Sequence, residues 1–171
     1  MIHYNRENLL YIIENHPYYD KINKNIIKDS LNFKYSEETF LMSGKQSNVR
    51  ALKTEDKKIT SDSIDLIHNW VLNLVNNFCP GFTFDIDSSW LINYKKNQYT
   101  VSHHHMPYSF AFVYFVRCPR GSSPLVFTTN NKKIKAEEGK VIIFPGSLKH
   151  HVPKNKCEGR IVLSGNLYCK V

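Results

Sequence analysis

Two short runs of histidine are the residues of this sequence best suited to chemistry. His103, His104 and His105 form the first run, and His150 and His151 form the second. On a β-strand, alternate side chains project from one face, so the imidazoles of His103 and His105 can reach one metal ion. A histidine of the second run could supply a third ligand, which leaves coordination positions open for catalysis. Imidazole binds iron, zinc, copper and nickel alike, so the pattern predicts a metal site without selecting the metal.

A single arginine begins the apolar segment that follows the second run. Arg160 lies ten residues after His150, and it shares strand parity with Val162, Ser164, Asn166 and Tyr168. If Val162 faces the interior of the fold, Arg160 faces it too, and a buried guanidinium requires an anionic partner. That partner could be a protein carboxylate or a small dicarboxylic ligand. Asn166 could touch a ligand, although a satisfied core amide is the favoured interpretation.

The segment after Phe82 alternates apolar and polar residues, as β-strands do. The first predicted strand is expected to carry Phe84, Ile86, Trp90, Ile92 and Tyr94 on a shared face, and Asp85, Asp87 and Asn93 on the opposite face. Further strands are predicted at Tyr99–His105, Ser109–Arg117, Leu125–Thr129, Lys140–Phe144 and Arg160–Tyr168. Short strands separated by turn residues predict a sandwich or a barrel.

Amphipathic helices are predicted before Phe82. The clearest spans 62–78, where apolar residues recur at three- and four-residue steps: Ile64, Ile67, Val71, Leu74, Val75 and Phe78. Ser61 is its candidate N-cap, and Pro80-Gly81 ends it. Two more helices are predicted, within 6–15 and over 19–31. The polar stretch 34–60 could be a lid or a surface loop, and the surface loop is favoured.

These elements together predict an α+β fold in which a helical layer packs on an antiparallel β-barrel. A chain of 171 residues is long enough for one domain with its own core. Residues 1–171 are therefore predicted to form a single domain. In it, 1–80 supply mainly helical support and a polar loop, and 81–171 form the barrel that carries the metal site.

Composition excludes several classes of protein. The hydrophobic fraction of 42% and the charged fraction of 22% argue against wholesale disorder. No apolar run is long enough to cross a bilayer, and the first residues carry no export signal. The four cysteines form no CxxC pair, so reduced thiols and a cytoplasmic location are expected. The net charge of +8 comes mainly from scattered lysines without a base-reading motif, so nucleic acid is not expected as a partner.

The segments around these candidates resemble the iron(II)- and 2-oxoglutarate-dependent oxygenases, in particular the prolyl-4-hydroxylase-like branch. Tyr94 to His103 is similar to that branch's tyrosine, tight turn and first metal histidine. Asn97 stands where the family has glycine, and asparagine tolerates left-handed backbone. Four later segments of this sequence resemble the family's strands after the first metal histidine, including the one that leads to the distal histidine. These segments are Ala111–Val116, Ser123–Phe127, Glu138–His150 and Arg160–Ser164. The resemblance covers 90–168 and implies a double-stranded β-helix, a jelly-roll or cupin-like barrel, under the helical layer.

One position departs from the family pattern of His-x-Asp and a distal histidine. His105 stands where the aspartate is expected, so the resemblance implies a variant with His-x-His in its place. Replacing an anionic ligand by a neutral one removes negative charge and weakens the hold on Fe(II). A different metal, or loss of the activity, therefore stays open at this point.

The resemblance also implies which residues hold the metal. His103, His105 and His150 would bind Fe(II), and His151 would replace His150 if the strand register shifted by one residue. Because it lies between His103 and His105, His104 would face away from the metal.

The resemblance further implies a cosubstrate and a reaction. Arg160 would pair with the distal carboxylate of 2-oxoglutarate, and Tyr94 would donate a hydrogen bond to it. The implied activity is that of a dioxygenase that hydroxylates a C–H bond, in a prolyl or other amino-acid side chain or a small molecule, with succinate and CO2 as co-products. The expected partners are 2-oxoglutarate, O2 and a peptide or amino-acid substrate, without a membrane.

Three other interpretations compete with this one. The first is a three-histidine cupin-type metalloprotein, either another dioxygenase or a small-molecule binder, because Gly139, Pro145 and His150 have the spacing of the second cupin motif. The glutamate of the first cupin motif is missing, since Ser109 and Phe110 occupy its positions. The second is a nucleic-acid demethylase, which would need a second arginine where Asn166 stands. The third is a degenerate barrel that serves as a non-enzymatic interaction module.

Overall fold

The computed structural model of the chain describes residues 2–4, 10–37, 47–55 and 57–170. Within these residues the helices are α1 (Tyr19–Ser30) and α2 (Asp62–Phe78). The first strands along the chain are β1 (Ile2–Tyr4), β2 (Leu10–Asn15), β3 (Val49–Arg50), β4 (Leu52–Lys53), β5 (Thr83–Tyr94) and β6 (Tyr99–His103). The later strands are β7 (Phe110–Arg117), β8 (Leu125–Phe127), β9 (Lys132–Ile134), β10 (Lys140–Pro145), β11 (His150–Val152) and β12 (Arg160–Lys170).

The strands form two antiparallel sheets. The larger sheet has the order β1-β2-β10-β7-β12-β5-β4, and the smaller one has the order β3-β6-β11-β8-β9. One apolar cluster, with Ile92, Phe115 and Phe127, joins the inner faces of the two sheets. A second cluster, with Ile64 and Leu163, joins the outer face of the larger sheet to the helices. The expectation that a helical layer packs on antiparallel strands is confirmed.

Both helices cover the larger sheet with apolar faces. The buried stripe of α2 includes Ile64, Ile67 and Val71, as the three- and four-residue spacing predicted. Ser61 caps α2, because its hydroxyl accepts a hydrogen bond from the Ile64 amide at 3.3 Å. The same hydroxyl donates to Asp29 of α1 at 2.7 Å, so the cap also ties the two helices together. The helices predicted over 62–78 and 19–31 are thus confirmed.

The helix predicted within 6–15 is wrong for the residues of that range that the structure describes. Residues 10–15 form strand β2, which pairs with β10, while residues 6–9 lie outside the described residues. Tyr11 packs in the cluster between the sheets, and Ile12 packs in the cluster under the helices. A strand that is buried on both faces has a continuous apolar run, and its spacing imitates a short helical stripe.

A β-bulge corrects the predicted face of β5. The pairing of β12 with β5 passes from Asn166 opposite Ser88 to Leu167 opposite Ile86, so Asp87 is the extra residue. Before the bulge, Phe84 and Ile86 point toward the helices, and after it Trp90, Ile92 and Tyr94 point between the sheets. The five residues therefore do not share one face, because one inserted residue reverses the alternation.

The polar stretch 34–60 is more than a surface loop where it is described. Its strands β3 and β4 add to one edge of each sheet, and Val49, Ala51 and Lys53 are buried. Residues 38–46 and 56 lie outside the described residues. No helix in the described segments of the chain has the length and apolar character needed to cross a membrane.

Candidate metal centre

Strand pairing in the smaller sheet brings the two histidine runs together. His103 at the end of β6 lies directly opposite His150 in β11. His105 follows in the loop after β6, and its amide donates a hydrogen bond to the Gly146 carbonyl at 2.7 Å. The loop is closed by a second bond, from the Tyr108 amide to the His105 carbonyl at 3.0 Å. The backbone thus holds His105 against the chain that leads into His150.

The close approach at this point requires glycine. A Cβ on Gly146 would overlap the carbonyl oxygen of Tyr108, which is rigid backbone. Because the Gly146 amide also donates to the Ser109 carbonyl at 3.0 Å, the turn before β11 and the loop after β6 form one unit. Gly146 therefore sets the distance between His105 and His150.

The three imidazoles converge on one point. Ring nitrogens of His103, His105 and His150 all lie within 4.8 Å of one another. The Nε2 atoms of His105 and His150 are 3.4 Å apart. The ring centres of His103 and His150 are separated by 4.4 Å. A single metal ion bound by three imidazole nitrogens needs this kind of spacing, because each Zn–N or Fe–N bond is about 2.0–2.2 Å long.

Backbone carbonyls hold two of these rings in the form that binds metal. Nδ1 of His103 lies 2.8 Å from the Val101 carbonyl, and Nδ1 of His150 lies 3.0 Å from the Leu148 carbonyl. A carbonyl can only accept, so each Nδ1 carries the proton and each Nε2 keeps its lone pair toward the centre. Hydrogen bonds of this kind fix the tautomer of metal-binding histidines.

Burial keeps the three imidazoles neutral. It lowers the pKa of His150 to about 3, with a further contribution from His103. Burial also lowers the pKa of His103, and it lowers the pKa of His105 well below the ordinary value, assisted by the two neighbouring histidines. Neutral imidazole is the form that binds a metal ion, so the cluster is ready to bind near neutral pH.

The remaining histidines of the two runs point elsewhere. His104 is exposed, and its Nδ1 accepts a hydrogen bond from the Met106 amide at 3.2 Å. His151 lies on the outer face of the smaller sheet, with Nδ1 3.4 Å from the Thr128 hydroxyl. The structure therefore brings His150, and not His151, to the cluster.

Arg160 is a buried cation whose charge is not neutralised by a carboxylate of the described residues. It is 0% exposed at the start of β12. Its Nε donates to the Ser123 carbonyl at 3.0 Å, while both terminal nitrogens, Nη1 and Nη2, have no hydrogen-bond partner of ordinary geometry among the described residues. Buried guanidinium groups are normally paired, because removing an unpaired charge from water costs several kcal/mol. The two unpaired nitrogens therefore indicate a place for an anion.

Tyr94 and Thr100 complete the surroundings of Arg160. The guanidinium carbon lies 4.6 Å from the centre of the Tyr94 ring, in a cation–π contact. The hydroxyls of Tyr94 and Thr100 are 2.7 Å apart. Burial raises the pKa of Tyr94, although the Arg160 charge opposes this, so the phenol keeps its proton and can donate a hydrogen bond.

One narrow cavity between the sheets connects the arginine to the histidines. Its lining includes Arg160, Tyr94 and Thr100 together with His103, His105 and His150. A wider cavity of about 260 Å³ also borders His103 and His105, and its lining includes Lys53, Asp87 and Trp90. Another cavity, of about 760 Å³, is lined by Cys118 and Arg120 and by none of these site residues.

Several site residues had no recognisable signal in the sequence. Trp90 stacks against His105 with ring centres 6.1 Å apart, and the buried Nζ of Lys53 lies 4.6 Å from the centre of the Trp90 ring. Ser123 acts through its backbone carbonyl, which no side-chain pattern reveals.

Asn166 is buried as expected for a core amide, but only its Nδ2 is satisfied, by Ser88 at 3.1 Å.

No protein-family model and no curated protein matches this sequence, whereas many solved structures match its fold. The chain is similar to the viral collagen prolyl hydroxylase vCPH from Paramecium Bursaria Chlorella virus-1, solved as a 2OG complex. The identity is 16% and the TM-score 0.66, over 94% of this chain and 96% of that one.

Two further structures share the fold at lower identity. One is a prolyl hydroxylase from Trichoplax adhaerens in complex with a hypoxia inducible factor peptide, with 11% identity, a TM-score of 0.70, and coverage of 91% of this chain and 82% of that one. The other is HygX from Streptomyces hygroscopicus with nickel, 2-oxoglutarate and hygromycin B bound, with 6% identity, a TM-score of 0.71, and coverage of 96% and 87%. At these identities the likeness establishes a common fold.

Proposed function

We propose that this chain is an Fe(II)- and 2-oxoglutarate-dependent oxygenase that hydroxylates a C–H bond, with succinate and CO2 as co-products. The observation that carries the proposal is the pair of unpartnered Arg160 nitrogens, buried in the same cavity as three converging imidazoles. A metal site alone would fit many activities. A metal site with a buried, unpaired guanidinium behind it fits a reaction that uses a small anionic cosubstrate.

His103, His105 and His150 are the proposed metal ligands. Their Nε2 atoms point to one centre, and three ligands leave coordination positions for a cosubstrate and O2. Bound iron supplies the oxidative chemistry, and the protein supplies orientation and a dry site. The His-x-His arrangement is proposed as the working form of the metal site, on a double-stranded β-helix fold.

Arg160 and Tyr94 are the proposed anchors of 2-oxoglutarate. The planar guanidinium can give two parallel hydrogen bonds to a carboxylate, from the nitrogens that lack partners. Tyr94 can donate a third, because Thr100 can in turn donate to the phenol oxygen. Phe115 also lies against the guanidinium, 5.5 Å from ring centre to carbon, so the carboxylate would be bound in surroundings with little water. Electrostatic attraction is strong in such surroundings.

The substrate is proposed to approach from the wider cavity. That cavity borders His103 and His105 and offers a cation, Lys53, a carboxylate, Asp87, and an aromatic wall, Trp90. Charged and aromatic groups suit a prolyl or other amino-acid side chain, or a small polar molecule. Of the proteins that share the fold, one was solved with a peptide and one with hygromycin B, so the fold accommodates both kinds of ligand.

Two further expectations belong to the proposal. Residues 1–171 are proposed to form one domain, because β2, β3 and β4 of the first half pair with strands of the second half. A cytoplasmic location is proposed because all four cysteines are free thiols: Cys79, Cys118, Cys157 and Cys169.

The proposal is tested by turnover of the cosubstrate. The purified chain is loaded with Fe(II) without oxygen, given 2-oxoglutarate, and then exposed to O2 while succinate is measured. We expect succinate from the wild type even without a substrate, and none from Arg160→Ala. Arg120→Ala is the matched control, because Arg120 is exposed and lies in the unrelated cavity. Iron binding with no succinate formation from the wild type would refute the proposal.

A second candidate is favoured by one observation, the absence of a carboxylate from the proposed ligand set. Three neutral imidazoles with no anionic ligand are also suited to zinc, copper and nickel. The chain would then be a three-histidine cupin-type metalloprotein, either another dioxygenase or a small-molecule binder. Tight metal binding that is unaffected by 2-oxoglutarate and by Arg160→Ala would favour this candidate.

A further inference from the structure

Asn166 lies next to the metal-binding cluster with one half of its amide unsatisfied. It is 6% exposed in β12 and borders the wider cavity together with His103 and His105. Its Nδ2 donates to the Ser88 hydroxyl at 3.1 Å, whereas its Oδ1 is buried without a hydrogen-bond partner of ordinary geometry. A buried acceptor without a donor costs about 1–3 kcal/mol, so its position requires an explanation.

One of the three imidazoles lacks the support that the others have. His103 and His150 each donate Nδ1–H to a backbone carbonyl. Nε2 of His105 faces His150 at 3.4 Å, which leaves its Nδ1 as the atom that must carry the proton. Among the hydrogen bonds of the described residues, none joins this nitrogen to a backbone carbonyl. A metal-binding histidine needs an acceptor at that atom to fix its ring and its tautomer.

We propose that the Asn166 side-chain oxygen accepts the Nδ1–H of His105 and so positions this ring for metal binding. The inference rests on the metal site of the proposed function. It explains how a metal site can have an imidazole, that of His105, at the position where the iron(II)- and 2-oxoglutarate-dependent oxygenases have a carboxylate. A carboxylate ligand needs no acceptor behind it, whereas an imidazole ligand does.

The Asn166 amide has the orientation in the structure that the inference requires. With Nδ2 held by Ser88, Oδ1 is the atom left for His105. The reverse orientation would place Nδ2 at the ring, and the proton of His105 would move to Nε2 and block metal binding. In agreement with an acceptor at this point, a hydrogen bond from His105 to Asn166 opposes the lowering of the His105 pKa by burial.

The Asp87 bulge makes this arrangement possible. It places Ser88 directly opposite Asn166 across β5 and β12. It also turns the side chains of Ser88 and Trp90 toward the wider cavity, while Ile86 packs under the helices. The bulge therefore has a structural consequence at the metal centre, as bulges near functional sites often do.

The inference is tested by metal affinity, with Co(II) as the probe and its visible absorbance as the signal. Asn166→Leu keeps the volume and removes the acceptor, so we expect Co(II) affinity to fall about 10- to 100-fold. Asn166→Asp keeps an acceptor and adds negative charge behind the ring, so we expect affinity equal to or above that of the wild type. Asn23→Leu is the matched control, because Asn23 is equally buried at 4% exposed but lies in α1; its Co(II) affinity is expected to stay unchanged.

A second readout separates positioning from general damage to the fold. In the Zn(II)-loaded protein, the Nδ1–H of His105 should give a slowly exchanging NMR signal in the wild type and in Asn166→Asp. Asn166→Leu should lose it while the signals of His103 and His150 persist. If Asn166→Leu does not fold, Ser88→Ala provides the test, because it frees the amide and should also weaken Co(II) binding.

The outcomes distinguish this inference from the proposed function. Unchanged Co(II) affinity in Asn166→Leu, or equal weakening by Asn166→Asp, overturns the inference. A wild type that binds no Co(II) overturns both the inference and the metal site. A wild type that binds Co(II) with the predicted variant effects, but forms no succinate with Fe(II), supports the inference and refutes only the oxygenase activity.

Discussion

Arg160 and Tyr94 are directly opposite each other across β12 and β5, and the guanidinium of one lies over the ring of the other. The pairing places a cation and a phenol in the wall of the cavity that the three histidines also line. Neither group is held there by a protein carboxylate of the described residues. The register between the two strands thus places the two proposed anchors of a small anion next to each other.

Removing the Tyr94 hydroxyl should weaken 2-oxoglutarate binding without disturbing the fold. Tyr94→Phe keeps the ring under Arg160 and loses one hydrogen-bond donor, so we expect the Kd for 2-oxoglutarate to rise about tenfold, equivalent to about 1.4 kcal/mol. Isothermal titration of the metal-loaded, oxygen-free protein measures it. Tyr114→Phe is the control, since its buried hydroxyl binds Asn23 instead, at 2.7 Å. Equal Kd values for wild type and Tyr94→Phe would contradict the role of Tyr94.

Gly146→Ala should damage the metal centre more than the fold as a whole. The new Cβ would overlap the Tyr108 carbonyl and push the loop that carries His105 away from His150. We expect destabilisation of about 1–3 kcal/mol, as for overpacking, and a clear loss of Ni(II) affinity. Gly81→Ala is the comparison, because Gly81 has φ +92° and no atom near its missing Cβ. It should cost stability through backbone strain and leave Ni(II) affinity unchanged. Equal Ni(II) affinities for both variants would contradict the account of this turn.

Changing the donor set should change the metal preference. His105→Asp introduces an anionic oxygen ligand, so we expect affinity for Mn(II) to rise relative to affinity for Zn(II). Competition titrations of the two metals give the ratio. His104→Asp adds the same charge one residue earlier, on an exposed side chain outside the cluster, and should leave the ratio nearly unchanged. An equal effect of both substitutions would mean that His105 is not a ligand.

His68 should make the stability of the fold depend on pH. It is 3% exposed in α2, and burial lowers its pKa to about 4, although the Asp65 carboxylate, 3.5 Å from Nδ1, opposes this. In the unfolded chain the pKa returns to about 6.5. The unfolded state therefore takes up the proton first, and folding free energy is lost as pH falls from 6.5 toward 4.

The measurement for His68 compares two proteins. Urea unfolding of the wild type and His68→Leu at pH 7.5 and at pH 4.5 should show the wild type losing about 2–3 kcal/mol more than the variant. Titrating groups that do not interact with His68 are common to both proteins and cancel in the difference. A difference that does not change with pH would show that His68 is not buried in neutral form.

The histidine spacing and the position of Arg160 were accessible from sequence, because strand alternation fixes which residues can share a face. His103 and Arg160 lie on strands and needed only local parity. His105 lies in the loop after β6, beyond the end of the strand, and its hydrogen bond to Gly146 brings it to the cluster. The partners of these residues were not accessible, since Ser123, Thr100 and Ser88 reach the site through long-range register. A pattern along one chain does not contain the register between strands.

Two of the errors of fold have the same kind of cause. In β2, Tyr11 and Ile12 are buried in different clusters, and two-sided burial removes the alternation that identifies a strand. At Asp87 a single extra residue reverses the alternation, and no residue type in the sequence predicts a bulge there. Both features arise from tertiary packing, which local spacing does not encode.

The central claim is most directly tested by a crystal structure of the protein grown without oxygen, with Mn(II) and 2-oxoglutarate. The account predicts one ion bonded to Nε2 of His103, His105 and His150, and a 2-oxoglutarate carboxylate hydrogen-bonded to both terminal nitrogens of Arg160. An ion bound elsewhere, or an Arg160 whose terminal nitrogens pair with a protein carboxylate instead, would contradict it.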